Sequence, residues 1–197
     1  MKKENIIKTD KSFLDVYQGI ENPQFMELIT LSIGEIHDKL HIKPQIKVFG
    51  KLCHQNRDVA FFSNESIVYK YSGQLSKSIP LTPHLKKLLE YMNHMFKSHF
   101  NGILVNRYND GNNNIGKHSD DESNLDHVGV VAISYGAERK FRIFDKSTNK
   151  KVIDIPTTMG SIIHMGGDFQ KEFLHEIPKE SKVTGSRYSF TFRKHLI

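Results

Sequence analysis

Cysteine is nearly absent. The single Cys53 cannot form an internal disulfide, so nothing in the chain calls for an oxidising compartment. Long apolar runs are missing as well, and no stretch approaches the roughly 18 residues of a helical membrane span. The charged opening MKKENIIKTDK lacks the apolar centre of a secretory leader. An intracellular, soluble protein without membrane contact is the expectation, most simply a monomer. Repeats and linker-like stretches of Pro, Gly and Ser are lacking too. The 197 residues, 38% of them hydrophobic, are therefore enough for one well-cored domain and short for two.

Acidic residues are outnumbered, 22 against 28 Lys and Arg, which leaves a net charge of +6. Such an excess favours a polyanionic partner, because Lys and Arg neutralise phosphates. Many basic proteins bind no nucleic acid, so the charge is only a prior.

The apolar pattern changes halfway along the chain. Residues 23–40 carry Phe25, Met26, Ile29, Ile33, Ile36 and Leu40 at helical spacing, and Thr82-Pro83 opens a second helix with a stripe of Leu85, Leu88, Leu89, Met92 and Phe96. Both stripes read as core packing. From residue 103 onward the runs are short and β-rich: 103–108, 128–135, 140–144, 151–155, 161–165, 173–177 and 187–194. Residues 47–49 and 66–71 read as further strands around an irregular segment. Helices followed by many short strands predict an α+β, mainly β fold: a double-stranded β-helix, or jelly roll, backed by N-terminal helices.

Chemistry concentrates in NRYNDGNNNIGKHSDDE, residues 106–122. His118 and Asp120 are two apart, so an extended segment presents both from one face. One distant His would complete a 2-His-1-carboxylate triad, which holds Fe(II) and leaves three positions open. An H-x-D alone is common by chance. The last strand adds weight: Tyr188, Phe190 and Phe192 fall on one face, and Arg187, Ser189, Thr191 and Arg193 on the other. If the aromatic face packs on helices, the arginines point into the barrel and require an anion or internal carboxylates. A bound dicarboxylate would suit them; an amphipathic edge strand with its arginines in water is the alternative. For the third ligand, spacing favours His175 in the apolar run 173–177, with His164 in another strand as its main competitor. His37, His84, His94 and His99 fall with the helices.

The segment N-R-Y-x-D-G-x-x-x-I-G-x-H-x-D-D-E, with M-G-G…Q…H-x-I-P and R-x-x-x-T-F-R, resembles the AlkB family of Fe(II)/2-oxoglutarate dioxygenases, from about Lys47 to the end of the chain. The resemblance implies Fe(II), 2-oxoglutarate and O2 as cofactor and cosubstrates. It implies His118, Asp120 and His175 as iron ligands and catalytic centre, Arg187 on the distal carboxylate of 2-oxoglutarate, and Asn106, Tyr108, Thr191 and Arg193 around the same cosubstrate. The organisation implied is a helical extension over 1–45 and a dioxygenase domain over 46–197, with a base-recognition lid at about 46–75.

Val48-Phe49-Gly50, Arg57 and Tyr69-x-Tyr71-Ser72 resemble the subgroup that repairs duplex DNA, in which the first tripeptide is a finger entering the base stack. The resemblance implies that Tyr69 and Tyr71 wall the base pocket, that Asp121 and Glu122 suit a cationic base, and that Glu122 reads its edge. The expected partner is nucleic acid, DNA first, with 1-methyladenine and 3-methylcytosine as the lesions. Methylated RNA, a protein side chain, or binding without catalysis are the alternatives. Three departures stand out: Ser189 replaces the usual Asn, Asn56 replaces a Pro and is expected to loosen the lid, and the loop after Phe144 is short and poor in arginine. If Phe49 is the wedge, Phe49→Ala should impair turnover of a methylated duplex far more than of a single strand, because only the duplex must be unstacked. Equal losses together with a large fall in melting temperature would identify Phe49 as a core residue instead.

Overall fold

The computed structural model describes residues 2–18, 22–48, 50–64, 68–71, 74–120 and 125–196. It opens on two strands, β1 (Lys2–Lys8) and β2 (Ser12–Gln18), paired as an antiparallel hairpin. This corrects the helical extension expected over 1–45. The period of two was present, since Leu14 and Val16 are buried on one face of β2 while Phe13, Asp15 and Tyr17 take the other. Helix α1 (Pro23–Ile36) follows, capped by Asn22, whose side chain accepts from the N–H groups of Gln24 and Phe25. The apolar spacing runs on to Leu40 because Leu40 is buried in the same core, although the helix has already ended.

Next come a hairpin of β3 (Gln45–Val48) and β4 (Lys51–His54), the strand β5 (Asp58–Ser63), a second hairpin of β6 (Val68–Tyr71) and β7 (Gln74–Lys77), and the short β8 (Ile79–Pro80). β5 lies in the stretch read as irregular. Thr82 caps α2 (Pro83–Phe96). The remainder is β9 (Gly102–Tyr108), β10 (Ile115–His118), β11 (Val130–Gly136), β12 (Lys140–Asp145), β13 (Lys151–Pro156), β14 (Ile162–Gly167), one helical turn α3 (Phe169–Glu172), β15 (Phe173–Ile177) and β16 (Arg187–Arg193).

These strands form an eight-stranded sheet in the order β1-β2-β14-β11-β16-β9-β5-β8 and a four-stranded sheet in the order β10-β15-β12-β13. The two are the halves of the expected jelly roll. β2 hydrogen-bonds to β14, so the start of the chain belongs to the main sheet and no boundary falls near residue 45. One hydrophobic cluster joins Phe25, Ile29, Leu88 and Met92 of the helices to Val131, Ile133, Phe190 and Phe192 of the large sheet. A second fills the space between the sheets, with Leu14, Val130, Ile163 and Met165 meeting Phe141, Ile143, Phe173 and Ile177. The result is three layers: helices, large sheet, small sheet.

β16 lies inside the large sheet between β11 and β9. Its alternation sends Phe190 and Phe192 under the helices and Arg187, Ser189, Thr191 and Arg193 into the space between the sheets. Neighbouring residues of one strand should therefore respond differently to truncation. Phe190→Ala is expected to cost about 3–5 kcal/mol in urea denaturation. Ser189→Ala, which removes one oxygen from the cavity wall, should cost less than about 1.5 kcal/mol.

Candidate metal centre and cosubstrate cavity

β10 and β15 pair antiparallel with His118 directly opposite His175. The register brings the two rings to 4.2 Å between centroids. Asp120 follows just beyond the end of β10, and the candidate ligand atoms of all three residues lie within 4.8 Å of one another. Its Oδ1 is 3.8 Å from His118 Nε2 and its Oδ2 is 3.9 Å from His175 Nε2. His118 Nδ1 donates to the Gly116 carbonyl at 2.9 Å, which leaves the Nε2 lone pair facing the carboxylate. His175 Nδ1 is buried with no hydrogen-bond partner among the described residues.

Protonation follows from burial. Desolvation lowers the pKa of His118, and it lowers that of His175 to about 3 with help from His118. Burial alone would favour protonated Asp120, but Arg193 and the two imidazoles outweigh it and hold the pKa at about 2. The group therefore consists of two neutral imidazoles and a carboxylate at neutral pH, the state metal ligation requires. Two nitrogens and one oxygen converging from one side suit the facial triad of Fe(II).

The cavity lies between the two sheets and is lined by the three residues of the cluster together with Arg57, Asn106, Tyr108, Arg187, Ser189, Thr191 and Arg193. Every residue expected around 2-oxoglutarate lies on its wall. The two arginines have different neighbours. Arg193 Nη2 donates to Asp120 Oδ1 at 2.9 Å. Arg187 Nε donates to Thr157 Oγ1 at 3.1 Å and Nη2 to Ser134 Oγ at 2.8 Å, while Nη1 is buried with no hydrogen-bond partner among the described residues. Burial, reinforced by Arg139 and opposed by Tyr108, lowers the Arg187 pKa to about 10, so it stays charged near neutrality. A buried cation with an open N–H fits an incoming carboxylate.

His164 belongs to the other face of its strand. Its neighbours Ile163 and Met165 line the cavity, whereas His164 meets the Val128 carbonyl at 2.9 Å and packs edge-on against Phe13 and Phe96. Alternation along β14 could have separated the two histidines from sequence alone. It could also have found Ser134, which the strand reading missed: Val131, Ile133 and Tyr135 face the helices, and Ala132 and Ser134 face the cavity. Thr157 and Gln170 were missed as well. Gln170 lies in a quoted motif with no role attached, and Thr157 lies just past β13, where no alternation marks it.

Of the residues expected to meet substrate, Arg57 is buried on the cavity wall and its Nε donates to Asn106 Oδ1 at 2.7 Å. Val48 closes the β3–β4 ladder opposite Lys51. Gly50 is exposed in the left-handed region, φ +78°, which glycine adopts without strain. Tyr69 and Tyr71 are backbone partners of β7. Phe49, Ser72, Asp121 and Glu122 lie outside the described residues. Asn56, expected to loosen the lid, has its side chain anchored: its Nδ2 donates to the Asn112 carbonyl at 2.8 Å and to Asn114 Oδ1 at 2.7 Å.

The 2OG-Fe(II) oxygenase superfamily matches residues 33–193. Fold, cavity and match agree, and the chain belongs to that superfamily. It is 31% identical over 161 residues to the human DNA oxidative demethylase ALKBH2, covering 78% of this chain and 62% of that protein. The Arabidopsis thaliana protein of the same name is 28% identical over 178 residues, covering 77% and 57%. The mouse alpha-ketoglutarate-dependent dioxygenase alkB homolog 3 is 34% identical over 103 residues, covering 48% and 36%. These relatives place the chain in the AlkB branch, and it spans less than two thirds of the length of each of the three.

Arg187 supplies a direct test of the cavity. Arg187→Lys keeps a charge but cannot reproduce a planar two-point contact. Its dissociation constant for 2-oxoglutarate, measured by calorimetry, should rise by about tenfold or more, the equivalent of one lost charge-assisted hydrogen bond. An unchanged constant would move the anchor to Arg193.

Proposed function

We propose that this chain is an oxidative demethylase that removes N-alkyl groups of the 1-methyladenine and 3-methylcytosine type from DNA. One observation carries the reading: the His118–Asp120–His175 cluster opens into the same cavity as Arg187 Nη1, which has no hydrogen-bond partner among the described residues. When bound, Fe(II) and 2-oxoglutarate would couple O2 to oxidation of the N-methyl carbon, releasing succinate, CO2 and formaldehyde and restoring the base. In this reading His118, Asp120 and His175 hold the metal. Arg187 takes the distal carboxylate, with its fork oriented by Ser134 and Thr157. Asn106, Tyr108, Thr191 and Arg193 complete that wall, while Leu104, Ile163 and Phe141 keep water from the reacting carbon.

DNA as substrate rests on the human and plant relatives, whose name is DNA oxidative demethylase. The net charge of +6 suits a phosphate backbone. Val48, Phe49 and Gly50 would enter the stack, and Arg57, Tyr69, Tyr71, Ser72, Asp121 and Glu122 would receive the extruded base, since a base inside a duplex is out of reach of the metal. Among the described residues no helix is long and apolar enough to cross a membrane.

The test is mass spectrometry of methylated single- and double-stranded DNA and RNA oligonucleotides incubated with Fe(II) and 2-oxoglutarate. Loss of the methyl group from DNA with matching succinate is the expected result. Turnover confined to RNA would redirect the substrate, and absence of succinate would reduce the chain to a binding module. His118→Ala, Asp120→Ala and His175→Ala should each abolish turnover with an unchanged circular dichroism spectrum. His164→Ala, on the far face of its strand, should retain most of it.

A further inference from the structure

β10 ends at His118, and the last ladder pair is His118 with His175. Asp120 therefore has no strand partner among the described residues, although its carboxylate oxygens must be held toward both imidazoles, which they face at 3.8 and 3.9 Å. Its buried backbone N–H needs an acceptor as well. Gln170, on the short turn α3, supplies it: Gln170 Oε1 accepts from the Asp120 N–H at 2.9 Å. The amide orientation is fixed, because the reverse would set two donors face to face, and Nε2 points instead to Met165 Sδ at 3.7 Å. A second tie comes from the loop after β12. Lys146 Nζ donates to Ser119 Oγ at 3.1 Å and to the Gln170 carbonyl at 3.2 Å, and its backbone N–H donates to the Glu172 carbonyl at 2.9 Å. Because α3 leads directly into β15, one short segment grips Asp120 and delivers His175.

We infer that Gln170 is a positioning residue for the metal carboxylate, with Lys146 as its brace, so that the short loop after Phe144 serves the metal site. The inference rests on the metal assignment made above. It requires that removing the acceptor weaken metal binding without loosening the fold, and that an acceptor of the same length restore it. The measurement is Co(II) titration of chelator-stripped protein, followed by visible absorption, beside the melting temperature of the metal-free form. Gln170→Met, equal in length and without an acceptor, should raise the Co(II) dissociation constant about 10- to 100-fold. Gln170→Glu, which can accept the same N–H, should bind close to wild type, and Lys146→Met should fall between the two. All four metal-free proteins should melt within a few degrees of one another. Should Gln170→Met not fold, Gln170→Ala is too short to reach the N–H and carries the same expectation. Wild-type affinity in the Met variant, or equal losses in Met and Glu, would overturn the positioning role. A wild-type protein that takes up no Co(II) would overturn the metal assignment and this inference with it.

Discussion

An ionised carboxylate inside a protein must have its charge answered, and Asp120 has it answered by Arg193 at 2.9 Å, with side-chain exposures of 6% and 3%. Removing one partner of such a pair leaves an uncompensated buried charge, at a cost of about 3–5 kcal/mol. The pair also decides how the remaining charges are used. Because Arg193 occupies Asp120 Oδ1, the carboxylate turns Oδ2 toward His175. Arg187, three periods of alternation away on the same strand face, meets hydroxyls and no carboxylate among the described residues. One arginine is paired with Asp120, and the other keeps an Nη1 without a hydrogen-bond partner among the described residues. The helices matter because only their cover over Phe190 and Phe192 forces the opposite face of β16 inward.

Much of this was legible because the chemistry lies on strands, where a period of two converts sequence into faces. β16 is the clearest case: seven residues specify both the aromatic layer and the cavity wall. His118 and Asp120 were legible as a spacing, and the cross-strand approach of His175 was not, since register depends on β10 and β15 meeting in three dimensions. The N-terminal hairpin was lost for a different reason. Leu14 and Val16 are the only two buried aliphatic positions of β2, too few to compete with the strong helical stripe that follows. Gln170 and Thr157 act through side-chain hydrogen bonds to segments distant in sequence, and no local pattern announces such contacts.

The surroundings of Arg57 show how a departure from a family pattern can be absorbed. Where a proline would stiffen the chain by fixing φ, Asn56 is tied to the loop of Asn112, Asn113 and Asn114 by four hydrogen bonds, counting Asn113 Nδ2 to Asn56 Oδ1 and the Asn114 N–H to the Asn56 carbonyl. On the other side, fully buried Asp58 is met by Arg107 at 2.8 Å, by Asn109 at 3.0 Å and by the Lys43 N–H at 3.1 Å. Arg57 stands between two anchored neighbours. Its place on the cavity wall is secured by polar contacts in place of ring geometry.

The pairing of β2 with β14 carries a consequence for the order in which the molecule can assemble. Most of the chain separates these strands, so their ladder closes a very long loop and gains nothing until the rest of the large sheet exists. A hairpin made early must therefore wait with an open edge, a form that invites pairing with other chains. Lys2 and Lys8 place exposed positive charge on β1, while Lys3 is paired with Asp15 of β2 at 2.8 Å. Because β1 is the outermost strand of the large sheet, this charge guards the same edge in the waiting hairpin and in the finished fold.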